Sequence, residues 1–331
     1  MSHPSVNVKQ LVDHLFRQEA GRMVAILTRL FGIHNLELAE DVLQDTLQQA
    51  LKDWSLGGIP VNPPGWIMVV ARRKAINAIR REKFYRSFAT DMDALLKSEW
   101  TASYTIDNIF LEDEIKDSQL RMMFTCCHPA LPAEAQIALT LKTLCGFSIP
   151  EISAALLTTE STVNKRLYRA KEKIRNEQID FAVPSGKDLA QRLDSVLLVI
   201  YLLFNEGYNS SGDHVTIRKD LCLEAMRLAR LLIDTPISNG YSGIYALLAL
   251  MCFHAARFDA RLDNNNDLIL LEDQDRNLWN KGLITQGFDF LLQSAAGNAA
   301  TPYHLEAAIA SEHCVAVDFR QTNWNKIYNY Y

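Results

Sequence analysis

The sequence lacks an apolar segment long enough to cross a membrane. Its longest strongly apolar run, VLLVIYLLF at 196–204, is far shorter than the roughly 20 residues that a spanning helix needs. We therefore expect this run to form a buried core helix, and we expect no membrane span. The first residues, MSHPSVNVKQ, lack the basic and apolar regions of an export signal. We expect the protein to stay in the cytoplasm.

Cysteines are few and do not form a disulfide framework. Of the six, only Cys126 and Cys127 lie close together, and this pattern predicts free thiols in a reducing compartment. His128 follows that pair, and His313 precedes Cys314. Adjacent residues on a helix point about 100° apart and share one tetrahedral ion poorly. We expect no metal site and no cofactor.

Sequence signatures of catalysis are also missing, since the chain has no glycine-rich phosphate loop and no nucleophile elbow. Two segments, FNEGYN and LLEDQDR, could house an enzyme within residues 187–331, but such polar groups beside apolar helices more often cap helices or anchor loops. We expect no enzymatic activity. The candidate groups in those segments are Asn205, Glu206 and Tyr208, and Glu272, Asp273 and Asp275.

The charge of the chain is segregated along its length. Residues 1–178 carry a net charge of +1, whereas residues 179–331 carry −6. Within the first part, residues 66–86 hold seven basic side chains against one acidic, and residues 37–53 hold five acidic against one basic. Such segregation indicates that different faces bind different partners.

Apolar residues recur at helical spacing almost throughout, and no period-two run indicates a strand. The sequence therefore predicts an all-α fold. A first unit at 8–86 contains helices at about 8–31, 36–54 and 64–86, the last two joined by SLGGIPVNPPG. Mixed polar residues at 87–109 predict a tether. A second helical unit covers 110–178, and a third helical region covers 187–331 after FAVPSG.

The segment CGFSIPEISAALLTTESTVNKRLYRAKEKIRNE predicts a helix-turn-helix. Gly146 ends one helix, Ser148 and Glu151 form a capping box that opens a short helix ending near Leu156, and a further helix begins at about Ser161. On this last helix the apolar side chains Val163, Leu167, Ala170 and Ile174 share one face. Polar side chains near its start are of the types that contact base edges and phosphates. We interpret it as a DNA-binding helix.

The segment GWIMVVARRKAINAIRREKF is apolar in its first half and basic in its second. A basic helix suits a phosphate backbone. The preceding loop and the aromatic rings of Trp54 and Trp66 could hold unstacked bases of a melted strand. Taken alone, a basic helix end is more often a solvated surface, and a tryptophan at its start is more often part of a core.

Together with the helix-turn-helix, the segments EDVLQDTLQQALKDW and GWIMVVARRKAINAIRRE resemble the extracytoplasmic-function (ECF) class of bacterial sigma factors over residues 8–178. MFTCCHPALPAEAQIALTLK, RLDSVLLVIYLLFNEGYN and LILLEDQDR resemble the subgroup with a long helical C-terminal extension, which is likened to tetratricopeptide repeats. No 34-residue period is visible here. The subgroup's members run further than Tyr331, so the resemblance implies a longer native chain.

This resemblance implies a factor that directs core RNA polymerase to promoters. Residues 8–86 then form sigma region 2, and residues 110–178 form region 4, which contacts the polymerase β flap. The acidic helix with Asp41, Gln44 and Asp45 matches the segment that docks on the β′ clamp. The reader of the minus-ten element corresponds to Trp54, Asn62, Trp66, Arg72, Arg73, Lys74, Asn77, Arg80 and Arg81. The reader of the minus-thirty-five element corresponds to Ser161, Thr162, Asn164, Lys165, Arg166, Tyr168, Arg169 and Lys173.

A further hypothesis concerns the acidic C-terminal extension, which minimal members of this class lack. We expect it to be a regulatory module, which could bind a regulatory protein.

An alternative for the whole chain is a one-component transcriptional regulator with a helical ligand-binding domain. That alternative explains the helix-turn-helix, but it leaves the acidic and basic helices within residues 37–83 without a purpose.

Overall fold

A computed structural model describes residues 8–85, 110–208, 217–263, 267–296 and 300–331. Within these ranges the chain forms α-helices and short 3₁₀ turns, with one isolated bridge between Leu262 and Leu268 and no strand. The predicted all-α fold is therefore confirmed. The predicted tether at 87–109 lies outside the described residues. The chain divides into two compact units, Met1–Leu193 and Asp194–Tyr331.

The first unit begins with three helices that agree with the predicted ones to within three residues at each end. They are α1 (Val8–Phe31), α2 (Leu36–Gly57) and α3 (Pro63–Tyr85). Side chains spaced three and four apart on α2 are buried against the other two helices, as an amphipathic helix requires. The Pro/Gly-rich loop between α2 and α3 begins at Gly58, which has a φ of 84°.

Four further helices complete the described part of the first unit. They are α4 (Glu112–Cys126), α5 (Ala133–Thr143), α6 (Ile149–Ala155) and α7 (Glu160–Asn176). Helix α5 ends as predicted before Gly146, whose φ of 69° reverses the chain. Ile179, three residues past α7, is buried at 5% exposure, and Arg192 donates a 2.6 Å hydrogen bond to the Phe124 carbonyl. The packed unit thus extends beyond the end of α7.

Helix α8 (Lys187–Tyr208) leads into the second unit, where five more helices are described. They are α9 (Lys219–Ile233), α10 (Ser242–Ala255), α11 (Lys281–Ser294), α12 (Pro302–Val315) and α13 (Trp324–Tyr330). Helix α10 is the core element, since it packs on α9, α11 and α12 and is buried nearly all round. Among the described residues one segment, Ser242–Ala260, is long and apolar enough to span a membrane, but 72% of it is buried inside the protein. Burial of that extent is typical of a core helix.

Candidate nucleic-acid and polymerase interfaces

Helices α6 and α7 form the predicted helix-turn-helix. Ser148 caps α6 through the predicted box, accepting from the Glu151 N–H at 3.4 Å while the Glu151 carboxylate accepts from the Ser148 N–H at 2.9 Å. In the turn Leu157 has a φ of 45°. Thr159 caps α7 by accepting a 3.2 Å hydrogen bond from the Thr162 N–H. These local bonds fix the angle at which α7 leaves the turn.

One face of α7 is buried and the other is free. The buried side chains are the four predicted ones, Val163, Leu167, Ala170 and Ile174. Of the residues assigned to the minus-thirty-five element, those that lie exposed are Ser161, Asn164, Lys165, Tyr168 and Arg169. Those that lie half-buried at the edges are Thr162, Arg166 and Lys173. Tyr168 is 64% exposed, so its side chain is accessible to a partner.

The basic helix α3 presents a positive edge beside an aromatic pair. Trp54 is only 3% exposed, and its ring meets that of Trp66 edge to face at 5.3 Å between centroids. Trp66 is half-buried and therefore the more accessible of the two. Asn62 caps α3 by accepting from the Gly65 N–H at 3.1 Å. Of the remaining assigned residues, Arg73, Asn77, Arg80 and Arg81 are exposed, and Arg72 and Lys74 are half-buried.

On α2 the three residues assigned to polymerase docking share the outer face. Asp41, Gln44 and Asp45 are exposed, because they lie on the side of α2 that faces away from the core. The buried face of the helix carries Val42, Leu43, Thr46 and Leu47. The neighbouring Glu40 is different. Its carboxylate forms a 2.7 Å ion pair with Lys171 on α7, and both side chains are mostly buried, at 21% and 15% exposure.

The helices of residues 8–85 pack against those of residues 110–176 within the first unit. Arg29 on α1 forms ion pairs with Glu114 at 2.5 Å and Asp117 at 3.1 Å on α4. Gly21 of α1 lies so close to the end of α5 that an added Cβ would stand 2.0 Å from the Leu144 carbonyl oxygen. The sequence did not predict these contacts, because the paired residues are far apart along the chain. Arg29 and Glu114 are separated by 85 residues, and Glu40 and Lys171 by 131.

Cysteine and histidine side chains do not gather into a metal site anywhere in the described ranges. Burial raises the pKa of the Cys126 thiol, and it raises that of Cys127 to about 12. The Cys126 sulfur lies 3.2 Å from the Thr143 hydroxyl, and the Cys127 sulfur lies 3.8 Å from the Thr140 hydroxyl. Both side chains are therefore packed in the core of the first unit, where burial disfavours the thiolate.

In the second unit the candidate enzymatic groups do not form a paired site. Glu272 and Asp273 are exposed, and Asp275 caps a short turn by accepting a 2.9 Å hydrogen bond from the Asn277 N–H. Burial raises the pKa of Glu206, and the positive charge of Arg218 partly offsets this rise. Tyr208 is instead surrounded by arginines that the sequence reasoning missed. A signal was present in ARFDAR, which directly follows the most apolar helix.

Three sequence families match separate parts of the chain. Sigma-70 region 2 matches residues 15–85, and Sigma-70, region 4 matches residues 121–174. A family of unknown function (DUF6596) matches residues 192–295. The first two matches contain α3 and α7, which carry the basic and polar faces described above.

Two curated relatives were found. An uncharacterized protein of Rhizobium meliloti (strain 1021) is 37% identical over 298 residues, which cover 88% of this chain and 68% of the relative. An ECF RNA polymerase sigma factor, SigE, of Mycolicibacterium smegmatis is 27% identical over 184 residues, which cover 54% of this chain and 64% of the relative. The chain thus spans about two thirds of the length of both. No solved structure matches.

Regions 2 and 4 occur here in the order and on the helices that the resemblance required, and the ECF relative supports the narrower class. A one-component regulator is not favoured, because it leaves the region 2 match unexplained. This chain belongs to the sigma-70 family and is an RNA polymerase sigma factor of the ECF type.

Proposed function

We propose that this sigma factor reads promoters through the exposed face of α7 and the basic edge of α3, and that it binds core polymerase through α2. The observation that carries the proposal is the capped α7, whose apolar face is buried while polar and basic side chains stand free. We assign the minus-thirty-five element to α7. We assign the minus-ten element to the residues listed for the loop and α3, and β′ clamp docking to Asp41, Gln44 and Asp45.

Within the minus-ten reader, the two tryptophans have different roles. Trp66 is the ring on which an unstacked base can lie, since it is partly open to solvent. Trp54 is buried, so it acts by holding the Trp66 ring edge to face. Asn62 fixes the first turn of α3 through its cap. The exposed cations further along α3 follow the phosphate backbone.

Promoter binding requires the first unit to open. The two promoter elements lie about 25 base pairs apart, which is roughly 85 Å of B-DNA axis. A compact body of the size of Met1–Leu193 has a radius of gyration of about 16 Å and cannot reach both. We therefore propose that the ion pairs of Glu40 and Arg29 hold a closed form. Polymerase binding separates them, since Glu40 adjoins the docking residue Asp41.

The remaining proposals concern location and regulation. The sigma factor acts in the cytoplasm, and it carries out no catalysis of its own. The acidic extension, residues 187–331, is a regulatory module that binds a partner protein. We also propose that region 2 covers residues 8–86, a linker residues 87–109, region 4 residues 110–178 and the extension residues 187–331.

Promoter reading by α7 is tested by Lys165→Ala and Arg169→Ala. We expect each to weaken binding to a mapped promoter. A side chain that contacts a base should cost about 1 to 3 kcal/mol and relax preference at one position, and one that contacts phosphate should lower the salt slope by about one. Both side chains are exposed, so folding should not change. The measurement is promoter binding by holoenzyme at several salt concentrations.

Lys187→Ala removes an equally exposed lysine outside α7 and is the matched control. It should bind like the parent protein. Unchanged transcription and unchanged promoter binding for both α7 variants would exclude this helix as the reader.

The C-terminal extension is tested by truncation, for which the structure supplies the end point. A chain ending at Gln178 loses Ile179 from its pocket and the Arg192 hydrogen bond to Phe124, whereas a chain ending at Leu193 keeps both. We expect the longer fragment to be more stable by about 1 to 3 kcal/mol, the typical effect of losing such contacts. Chemical denaturation of the two fragments measures this difference.

The stable fragment then reports on regulation. If the extension controls the sigma regions, the chain ending at Leu193 should give promoter output that differs from that of the full chain. Equal output from both, with independent melting transitions, would show that the extension is attached without regulating.

A further inference from the structure

Three arginines converge on two aromatic rings in the second unit. The guanidinium of Arg261 lies 3.6 Å from the centroid of the Tyr208 ring. That of Arg257 lies 5.9 Å from the Tyr208 ring and 5.7 Å from the Trp279 ring. Arg276 lies 4.6 Å from Trp279. We call these five residues, with His254 and His313, the arginine cluster.

Separate segments build this cluster. Tyr208 ends α8, in FNEGYN, and Arg257 and Arg261 follow α10. Trp279 is held beside them because the next residue, Asn280, donates its N–H to the Ala256 carbonyl at 2.8 Å. The sequence segments that were candidates for an enzyme are therefore brought together, but through arginine and aromatic side chains and not through their carboxylates.

Two members of the cluster have no carboxylate counter-ion within the described ranges. Among the described residues, neither Arg257 nor Arg276 forms an ion pair with a carboxylate. The acidic groups near Arg276 have other partners: Glu312 binds Lys326 at 2.5 Å, and Asp318 accepts from the Gln321 backbone and side chain at 2.9 Å each. Arg276 itself donates to the carbonyls of His313 and Ala316.

Several hydrogen-bonding atoms of the cluster are buried without a partner among the residues that the structure describes. They are the Tyr208 hydroxyl, His254 Nδ1, Arg257 Nε, Arg276 Nη2, Trp279 Nε1 and His313 Nδ1. Tyr208 is 5% exposed and Trp279 is 2% exposed. Buried donors without acceptors cost free energy in a folded protein, so a group of them in one place indicates an absent acceptor.

The electrostatic field of the cluster agrees with this interpretation. Burial lowers the pKa of His254 to about 3, and the charges of Arg257 and Arg261 act in the same direction. Burial, Arg257 and Arg276 likewise lower the pKa of His313, with Glu312 opposing. Both imidazoles are therefore neutral near pH 7 and available as hydrogen-bond partners.

We propose that the arginine cluster binds a small-molecule anion through a carboxylate or phosphate group, with Arg257 as its main contact. The planar guanidinium matches either oxyanion with two parallel hydrogen bonds. Arg257 and Arg276 are half-buried, so a ligand can reach them from solvent, while Tyr208 and Trp279 supply donors from the interior. The second unit is then a ligand-binding module attached to a sigma factor.

Titration of the full chain with orthophosphate and, separately, with citrate tests the proposal and distinguishes phosphate from carboxylate. Sodium chloride at matched ionic strength corrects for screening. We expect saturable binding of at least one anion, with a dissociation constant of about 1 mM or tighter, and a rise in melting temperature with concentration. Absence of saturable binding for both would overturn the proposal.

Variants locate the site. Arg257→Gln should weaken binding by tenfold or more, and Arg257→Lys, which keeps the charge but loses the planar fork, should weaken it less. Arg230→Gln removes an exposed arginine on α9 and should bind like the parent protein. Equal anion binding by Arg257→Gln and the parent protein would overturn the assignment.

A purely structural role for Arg257 makes a different prediction in the absence of added anion. If Arg257 only supports the aromatic rings, Arg257→Gln should lower the melting temperature and leave anion binding intact. If Arg257 is instead part of a ligand-binding site, Arg257→Gln removes one of three clustered positive charges. The melting temperature should then stay unchanged or rise, because binding sites often lower the stability of the folded protein. Neither readout involves polymerase or DNA, so it stands apart from promoter recognition.

Discussion

Replacing Gln44 with alanine and Asp45 with arginine is expected to abolish tight binding to core polymerase. Both side chains lie on the exposed face of α2, and the core face of that helix is untouched. A like charge placed in an interface costs several kcal/mol, so we expect affinity to fall by a factor of about 30 or more. The measurement is equilibrium binding of the full chain to core enzyme without DNA.

A matched double variant controls for the change of net charge. Gln286→Ala with Asp289→Arg makes the same two residue changes at exposed positions on α11 of the second unit. This control should bind core enzyme like the parent protein. Undiminished affinity of the α2 variant would remove α2 as the docking surface and leave the sigma assignment to rest on other contacts.

Replacing Gly21 with alanine is expected to break the closed form. The new Cβ would lie 2.0 Å from the Leu144 oxygen and 2.7 Å from the Leu144 carbonyl carbon, so backbone must move. Overpacking of this kind costs about 1 to 3 kcal/mol, and the clash falls on the contact between α1 and the end of α5. We expect a less stable first unit that binds core polymerase at least as tightly, since the closed state competes less.

The control for this change is Gly57→Ala. Gly57 ends α2 with no atom within 4 Å of an added Cβ, so this substitution should be neutral or stabilising by up to about 1 kcal/mol. Chemical denaturation and polymerase binding are measured for both variants. If Gly21→Ala unfolds at the same denaturant concentration as Gly57→Ala, α1 and α5 are not packed in solution as described.

Local signals in the sequence were sufficient for the helices of residues 8–85 and for the helix-turn-helix, whereas residues 187–331 were predicted only to be helical. Capping residues and apolar periodicity are short-range properties, so they predicted the ends of α1, the Ser148 cap and the buried stripe of α7. Family resemblance supplied the roles proposed for α2, α3 and α7. Those roles could not have come from periodicity, because a solvated basic face and a DNA-binding face have the same pattern.

Long-range pairing was beyond the sequence reasoning. No local pattern indicates that the carboxylate of Glu40 on α2 binds Lys171, which follows it by 131 residues in the sequence. The sequence indicates both Trp54 and Trp66 as rings on which a base could stack. In the structure Trp54 is buried, so only Trp66 of this pair is accessible to a base. The arginine cluster was missed for the same reason, since nothing in the spacing of Arg257 and Trp279 indicates that they meet.

Promoter recognition is tested most directly by transcription in vitro with core polymerase on a library of genomic fragments, with and without the full chain, with mapping of RNA 5′ ends. We predict that the protein directs initiation to a defined set of sites sharing sequence at two places about 25 base pairs apart, and that Lys165→Ala and Arg169→Ala reduce this signal. If initiation with the protein occurred at the same sites as with core enzyme alone, promoter recognition by this chain would be contradicted.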